Sequence, residues 1–303
     1  MKLAKKVTFL MKRRGAIGDV IMTTGVVRQM KELYGDNIQI VVATDCFAVY
    51  KNNPYVDAVI PWEAADANKF TLFMDLDDAY EFETNVNYLD AYFMVGFNST
   101  QTQKHVELFP DELDQKTIKD IQKEHELDKH KYIVVHMRNW HWQAKNISMT
   151  VWFDIFTKLF EKNDNFKIVT VGGATDHTVE HPNFIDLRDK LNAQQTKLLC
   201  DDAKCFVGID SAPYWCAAAS STTLIPLLTH LLPERIYPYR NCDETYNMVD
   251  YKFIPITTLE DCKGCNDRQQ RPVRQIVCEK GNYPCTSNFD TNNIAEEILK
   301  VLE

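Results

Sequence analysis

The sequence predicts an α/β protein built from two parallel, doubly wound sheets facing across a cleft. Three observations carry this. Strand-like runs alternate with helical segments along nearly all of the 303 residues, the pattern of parallel sheets. That length is comfortable for two cores of ordinary size. Glycine is sparse, and five of the ten (Gly15, Gly18, Gly172, Gly173, Gly208) fall at or near the carboxyl ends of predicted strands, where such sheets bind ligands.

In the first half, Val7–Met11, Ile38–Ala43, Asp57–Pro61 and Phe70–Asp75 read as strands. Ile21, Val27, Met30 and Tyr34 place one apolar face on a helix over Val20–Tyr34, stopped by Gly35-Asp36-Asn37. A polar stretch, Gln101–Lys131, contains Pro110 and a helical segment Asp114–His125. The predicted organisation is a first domain over 1–128, a second over 129–288 with a cysteine-rich tail, and a terminal helix over 289–303. The second domain reads as strand Tyr132–His136, helix Thr150–Glu161, strand Lys167–Val171, short strand Phe184–Asp186 and helix Ala193–Asp201. Strand Cys205–Ile209, helix Ala212–Ser220 and strand Thr223–Leu228 follow. A loop-rich stretch then precedes an amphipathic helix, Asn292–Leu302.

Bulk properties exclude several functions. A net charge of −9 argues against non-specific nucleic-acid binding, which needs a basic footprint. No run of eighteen apolar residues exists to span a bilayer, and no small-residue cleavage site follows the amino-terminal lysines. The expectation is a cytoplasmic protein with at most peripheral membrane contact. Nine cysteines in such a chain imply reduced thiols or metal ligands. Charge is uneven: residues 1–14 hold six Lys/Arg and no acid, whereas Glu63–Asp114 holds twelve acids against Lys69 and Lys104.

Four strand ends gather chemistry. Gly15-Ala16-Ile17-Gly18-Asp19 joins a strand to a helix without forming a dinucleotide fingerprint or a P-loop. Asp19 there is either a helix cap or a carboxylate acting on substrate. His136–Lys145 crowds Arg138, two tryptophans, two histidines and Lys145 after a buried strand. Gly172-Gly173 makes the third turn. Asp210-Ser211-Ala212-Pro213 opens a small-residue helix whose N-terminus suits a phosphate or is an ordinary cap. In the tail, Cys262, Cys265, Cys278 and Cys285 offer four thiolates within 24 residues. That is enough for a structural zinc, with a disulfide or free thiols as the alternative. The Asp75-Leu76-Asp77 triplet reads as the polar end of a strand, not a metal site.

Taken in order, Arg14–Thr24 with Asn53–Asp57, Lys145 with Trp152, Val171-Gly172-Gly173, Val207–Pro213 with Ala217–Ala219, and the tail cysteines resemble the heptosyltransferase-like family of inverting glycosyltransferases, family nine. The resemblance implies a GT-B fold, with acceptor on the first domain, nucleotide-sugar (ADP-heptose or related) on the second, and the last helix crossing back onto the first. Ala212 and Trp215 stand where the family usually has Gly and His. On this reading Asp19 is the general base. Lys145, Arg138 and the helix N-terminus at Ser211–Pro213 hold the diphosphate, so catalysis needs no cofactor. The partners are a nucleotide-sugar donor and a glycan or other hydroxyl acceptor, less anionic than a phosphorylated core given the acidic stretch. Two alternatives stay open: a nucleotide-sugar epimerase on a GT-B fold, which would need no acceptor site, and a non-catalytic nucleotide-sugar binder.

Overall fold

The computed structural model describes residues 6–83, 85–99, 102–242, 249–269 and 277–303; Lys2 and Lys5 of the basic segment lie outside them. Four strands, β1 (Val7–Lys12), β2 (Ile38–Ala43), β3 (Ala58–Ile60) and β4 (Leu72–Asp75), form a parallel sheet in the order β3-β2-β1-β4. Six more form a second parallel sheet: β5 (Tyr132–Val135), β6 (Lys167–Thr170), β7 (Phe184–Asp186), β8 (Cys205–Gly208), β9 (Thr223–Leu228) and β10 (Ile256–Thr257). Its order is β10-β9-β8-β5-β6-β7. The predicted α/β class with two parallel sheets is therefore observed.

The second sheet is buried on both faces, as parallel sheets usually are. Tyr132, Val134 and Phe206 face one core, and Ile133, Val135 and Val207 the other. On the first sheet, Phe9, Met11, Ile40 and Val42 face the main core, while Leu10, Val41 and Ala43 meet only short 3-10 turns and their flanks.

The helix expected over 20–34 is two helices, α1 (Ile17–Met22) and α2 (Thr24–Tyr34). Thr23 and Thr24 donate their hydroxyls back to the carbonyls of Val20 and Ile21, both at 2.8 Å, a pattern that bends helices. Helix α3 (Tyr88–Phe97) was not legible in the sequence because it is apolar almost all round and shows no helical stripe. Asn87 caps it by accepting from Leu89 N at 2.8 Å. Helix α4 (Glu112–Glu124) carries a capping box from Asp111 and Asp114. It spans both units, with Lys51 of the first unit bonding to Asp114 at 3.1 Å and Gln122 donating to Asp202 of the second at 2.9 Å. Helices α5 (Met149–Lys162) and α6 (Ala193–Asp202) flank the second sheet. Helices α7 (Ala212–Ala218), α8 (Cys265–Gln269) and α9 (Thr291–Leu302) complete the set among the described residues.

The expected return of the last helix onto the first domain is corrected by its packing. Ile294, Ala295, Ile298 and Leu302 of α9 join Val151, Ile155 and Leu159 of α5 in one buried cluster of the second unit. The apolar stripe of α9 faces that of α5, and Lys158 donates to Thr291 at 2.7 Å.

No helix among the described residues is long and apolar enough to cross a membrane. Helix α1 packs directly on α7, and the main buried cluster runs unbroken from Phe9 through Val20 to Trp215 and Leu228. Gly18 makes this approach feasible. A Cβ there would sit 3.2 Å from Ala212 Cα and 3.3 Å from Trp215 Cδ1. Gly18 thus serves helix packing as well as lining the cleft, and α1 partly covers the N-terminus of α7.

Candidate active site

Two adjoining cavities lie between the carboxyl ends of the two sheets. The first, about 430 Å³, is lined by Asp19 and Tyr80 from the first unit and by Arg138, Trp142, Lys145, Asp210, Ser211 and Trp215 from the second. The neighbouring cavity, about 310 Å³, is lined by His136, Gly172, Gly173, Asp176, Leu191, Ala193 and Pro213 among others. Arg138, Trp140 and Ala212 border both. The predicted residues Asp19, Lys145, Arg138, Gly18, Gly172, Gly173, Asp210, Ser211, Ala212 and Pro213 are thereby gathered in one cleft. Gly15 is not among the lining residues; its α-carbon faces Cys46.

Asp19 sits in the first turn of α1 and is held by three donors. Its Oδ2 receives Arg13 Nη2 at 2.8 Å and Ala16 N at 3.0 Å, and its Oδ1 receives the Tyr80 hydroxyl at 2.9 Å. A carboxylate offers about four acceptor positions, so one direction on Oδ1 stays open. Behind it, Arg13 is 1% exposed and also pairs with Glu81 Oε1 at 2.6 Å and with the Leu76 carbonyl at 2.9 Å. Burial above all pushes the Tyr80 phenol well above its ordinary pKa, so it remains a donor to Asp19. Tyr80 and Glu81 were missed in the sequence because both come from a chain segment more than sixty residues away.

Lys145 lies in a 3-10 turn, Gln143–Lys145, and is already paired. Its Nζ meets Asp210 Oδ2 at 2.7 Å and the Asp210 carbonyl at 3.2 Å, and it sits 4.9 Å from the centre of the Trp142 ring. The other Asp210 oxygen accepts from Trp215 Nε1 at 3.1 Å. Trp215 is therefore a buried packing residue that orients Asp210, not an open stacking surface. Arg138 differs from Lys145: it makes no ion pair among the described residues, and its buried Nε has no hydrogen-bond partner. Burial pulls its pKa down, against the pull of Asp176 and Asp210. It is the less compensated cation of the cleft.

Three strand-end loops of the second unit meet at His136. Its Nδ1 lies 2.9 Å from Ser211 Oγ and its Nε2 lies 3.0 Å from Asp176 Oδ2. Asp176 also accepts from Gly173 N and Asn139 N, each at 2.8 Å. The positive φ of Gly172, 129°, and the 2.3 Å approach its Cβ would make to Asp176 explain why glycine is needed there. Asp176 was not singled out in the sequence, since nothing local distinguishes it from other loop acids.

Cys262, Cys265, Cys278 and Cys285 converge on a separate cavity of about 20 Å³, with Ala144, Thr229 and His230 in the same wall. All four are free thiols. Burial, then the neighbouring Cys265, Cys262 and Cys278, push the Cys285 thiol up to about 12. His230 is 3% exposed and its Nε2 lacks a partner among the described residues. Burial, with Lys145 nearby, lowers its pKa to about 3. The tightest ligand group among the described residues is instead Glu260, Asp261 and Cys262. Both carboxylates there are taken up by Lys280, at 2.7 and 2.5 Å.

No protein-family model matches the sequence, and no curated protein matches it. Solved structures do. A family 9 glycosyl transferase from Veillonella parvula aligns with TM-score 0.69 at 13% identity, over 98% of this chain and 97% of that one. The ADP-heptose lps heptosyltransferase II of E. coli gives TM-score 0.69 at 14% identity, over 98% of each chain. The iron-containing dodecameric glycosyltransferase TibC of E. coli gives TM-score 0.68 at 13% identity, over 100% of this chain and 80% of that one. The two parallel sheets thus take the GT-B fold of these structures.

Proposed function

We propose that the protein is a glycosyltransferase that moves a sugar from a nucleoside diphosphate, of the ADP-heptose class, to a hydroxyl acceptor with inversion. One observation carries the reading. A single cavity brings the carboxylate of Asp19 from one sheet opposite Arg138 and Lys145 from the other. The acceptor hydroxyl would lose its proton to the open side of Asp19 Oδ1, while Arg13 and Tyr80 hold the carboxylate in place. A positioned base supplies roughly 10²–10⁴ in rate. Charge developing on the departing diphosphate would be met by Arg138 and, once Asp210 shares it, by Lys145. The neighbouring cavity, with Leu191, Ala193 and Pro213 in its wall, suits the nucleoside. The likeness to the ADP-heptose heptosyltransferase and to TibC, which has been captured with ADP-D-beta-D-heptose, supports this donor class. The protein would work in the cytoplasm, on an acceptor that tolerates the acidic Glu63–Asp114 stretch.

Asp19→Asn tests the base role. Donor affinity should be kept while turnover falls at least a hundredfold; retention of more than about a tenth of the rate removes Asp19 from the role.

We further propose that the four tail thiols take up a structural metal. They share one small cavity with the orphaned His230 Nε2, a donor set suited to zinc or iron. Such an ion would brace the turn that carries Lys145, because Thr229 Oγ1 donates to the Ala144 carbonyl. Elemental analysis should find about one equivalent of metal, lost in Cys262→Ser with a lowered melting point. A metal-free protein whose melting ignores chelator refutes this.

A further inference from the structure

We propose that Asp176 and His136 turn the Ser211 hydroxyl proton inward, so that Ser211 offers the cavity only lone pairs and recognises a hydroxyl of the transferred sugar, not a phosphate oxygen. The inference rests on reading the cavity as a nucleotide-sugar site, and it changes the part the sequence suggests for Ser211.

The argument is one of hydrogen-bond direction. Asp176 accepts two backbone N–H bonds, from Gly173 and Asn139, and burial is outweighed by His136 and these donors, so its pKa is lowered and it is a carboxylate. A carboxylate only accepts. The contact at 3.0 Å therefore requires the proton of His136 on Nε2. His136 is 2% exposed, and burial is the main cause that keeps it neutral. Its Nδ1 is then a bare acceptor, 2.9 Å from Ser211 Oγ. The second protein atom within reach of Ser211 Oγ is the Ile209 carbonyl at 3.0 Å, also an acceptor. Nδ1, the nearer of the two, takes the hydroxyl proton, so that proton points into the protein and its direction depends on His136.

Phosphate oxygens carry no proton to offer at neutral pH, and an acceptor facing an acceptor repels. A sugar hydroxyl can donate. Ser211 shares its cavity with Asp19 and Lys145, where the reacting bond lies, and not with the nucleoside side. The matching hydroxyl therefore belongs to the transferred sugar, and the diphosphate is left to Arg138 and Lys145. His136 and Asp176 act through Ser211 and are positioning residues. The charged groups facing His136 are Asp176 and Arg138.

The test measures binding of ADP and of ADP-glucose, with ¹⁵N-histidine NMR on the ligand-free protein. The NMR should show His136 protonated on Nε2. Ser211→Ala should weaken ADP-glucose about three- to tenfold relative to ADP, the size of one neutral hydrogen bond. Two histidine variants separate positioning from scaffolding. His136→Asn places an acceptor oxygen near Nδ1 and should keep the ADP-glucose/ADP ratio. His136→Gln keeps a donor towards Asp176, loses the acceptor, and should lose the ratio. In wild type the ratio should also fall as acidification protonates His136, with His136→Asn unaffected. An Nδ1-protonated tautomer overturns the proposal, and so does an equal change for both ligands in Ser211→Ala. Wild-type protein that binds neither ligand would overturn the donor reading itself, and the sugar-hydroxyl assignment with it.

Discussion

Replacing Arg138 by glutamine separates a ligand-binding cation from a scaffold one. Arg138 is partly buried, makes no ion pair among the described residues, and leaves Nε without a partner. The ligand-free protein therefore gains little from its charge, and the variant should unfold within about 1 kcal/mol of wild type, in either direction. Binding should change far more. A guanidinium hydrogen-bonded to phosphate is worth about 1.5–3 kcal/mol, or about 10- to 150-fold in Kd for ADP. Lys145→Ala is the counterpart. Its ammonium is paired with Asp210, whose side chain is 8% exposed, so removing it strands a buried carboxylate and should cost about 1–3 kcal/mol of stability. Denaturant unfolding and calorimetric titration with ADP on the same preparations give both quantities. A destabilised Arg138→Gln that binds ADP like wild type would show that Arg138 only supports its loop, and the division between the two cations would be wrong.

Gly18→Val should destabilise by about 1–3 kcal/mol, since its Cβ would begin 3.2 Å from Ala212 Cα; an unchanged denaturation midpoint would mean α1 and α7 separate freely. Acid should weaken the protein below about pH 6.5. The folded-state pKa of buried His136 is depressed from 6.5, so the unfolded chain takes up its proton first and stability falls as pH drops towards the folded value. The His136 contribution is at most about 1.4 kcal/mol per pH unit. His136→Asn should show a shallower acid slope than wild type in melts across pH, and equal slopes would contradict the assignment.

Much of the fold was legible because its signals are local. Alternating strand and helix runs marked the elements in chain order, and most of the glycine turns marked the strand ends that border the cleft. What escaped depends on distance along the chain. Arg13 finds Glu81 across 68 residues, and Asp176 finds His136 across 40, pairings no spacing rule encodes. The Thr23 break in the first helix turns on hydroxyl back-bonds, which a hydrophobic stripe does not register. Helix α3 hid for the opposite reason, having too many apolar residues to show a stripe. Lys145 lines the cleft, but its pairing with Asp210 is a property of the assembled loops that no local signal carries.

The close seat of α1 on α7 bears on how the cleft can open. A cleft hinged like a book would have to lift Gly18 off Ala212 and bring Trp215, 1% exposed, into water. With one unbroken core tying the sheets, wide opening amounts to partial unfolding. The open part of the cleft is its rim, where Trp140, 49% exposed, borders both cavities with Arg138 5.5 Å from its ring centre. Arg138 and Trp140 thus stand together at the exposed rim of both cavities, apart from the packed contact that joins the two sheets.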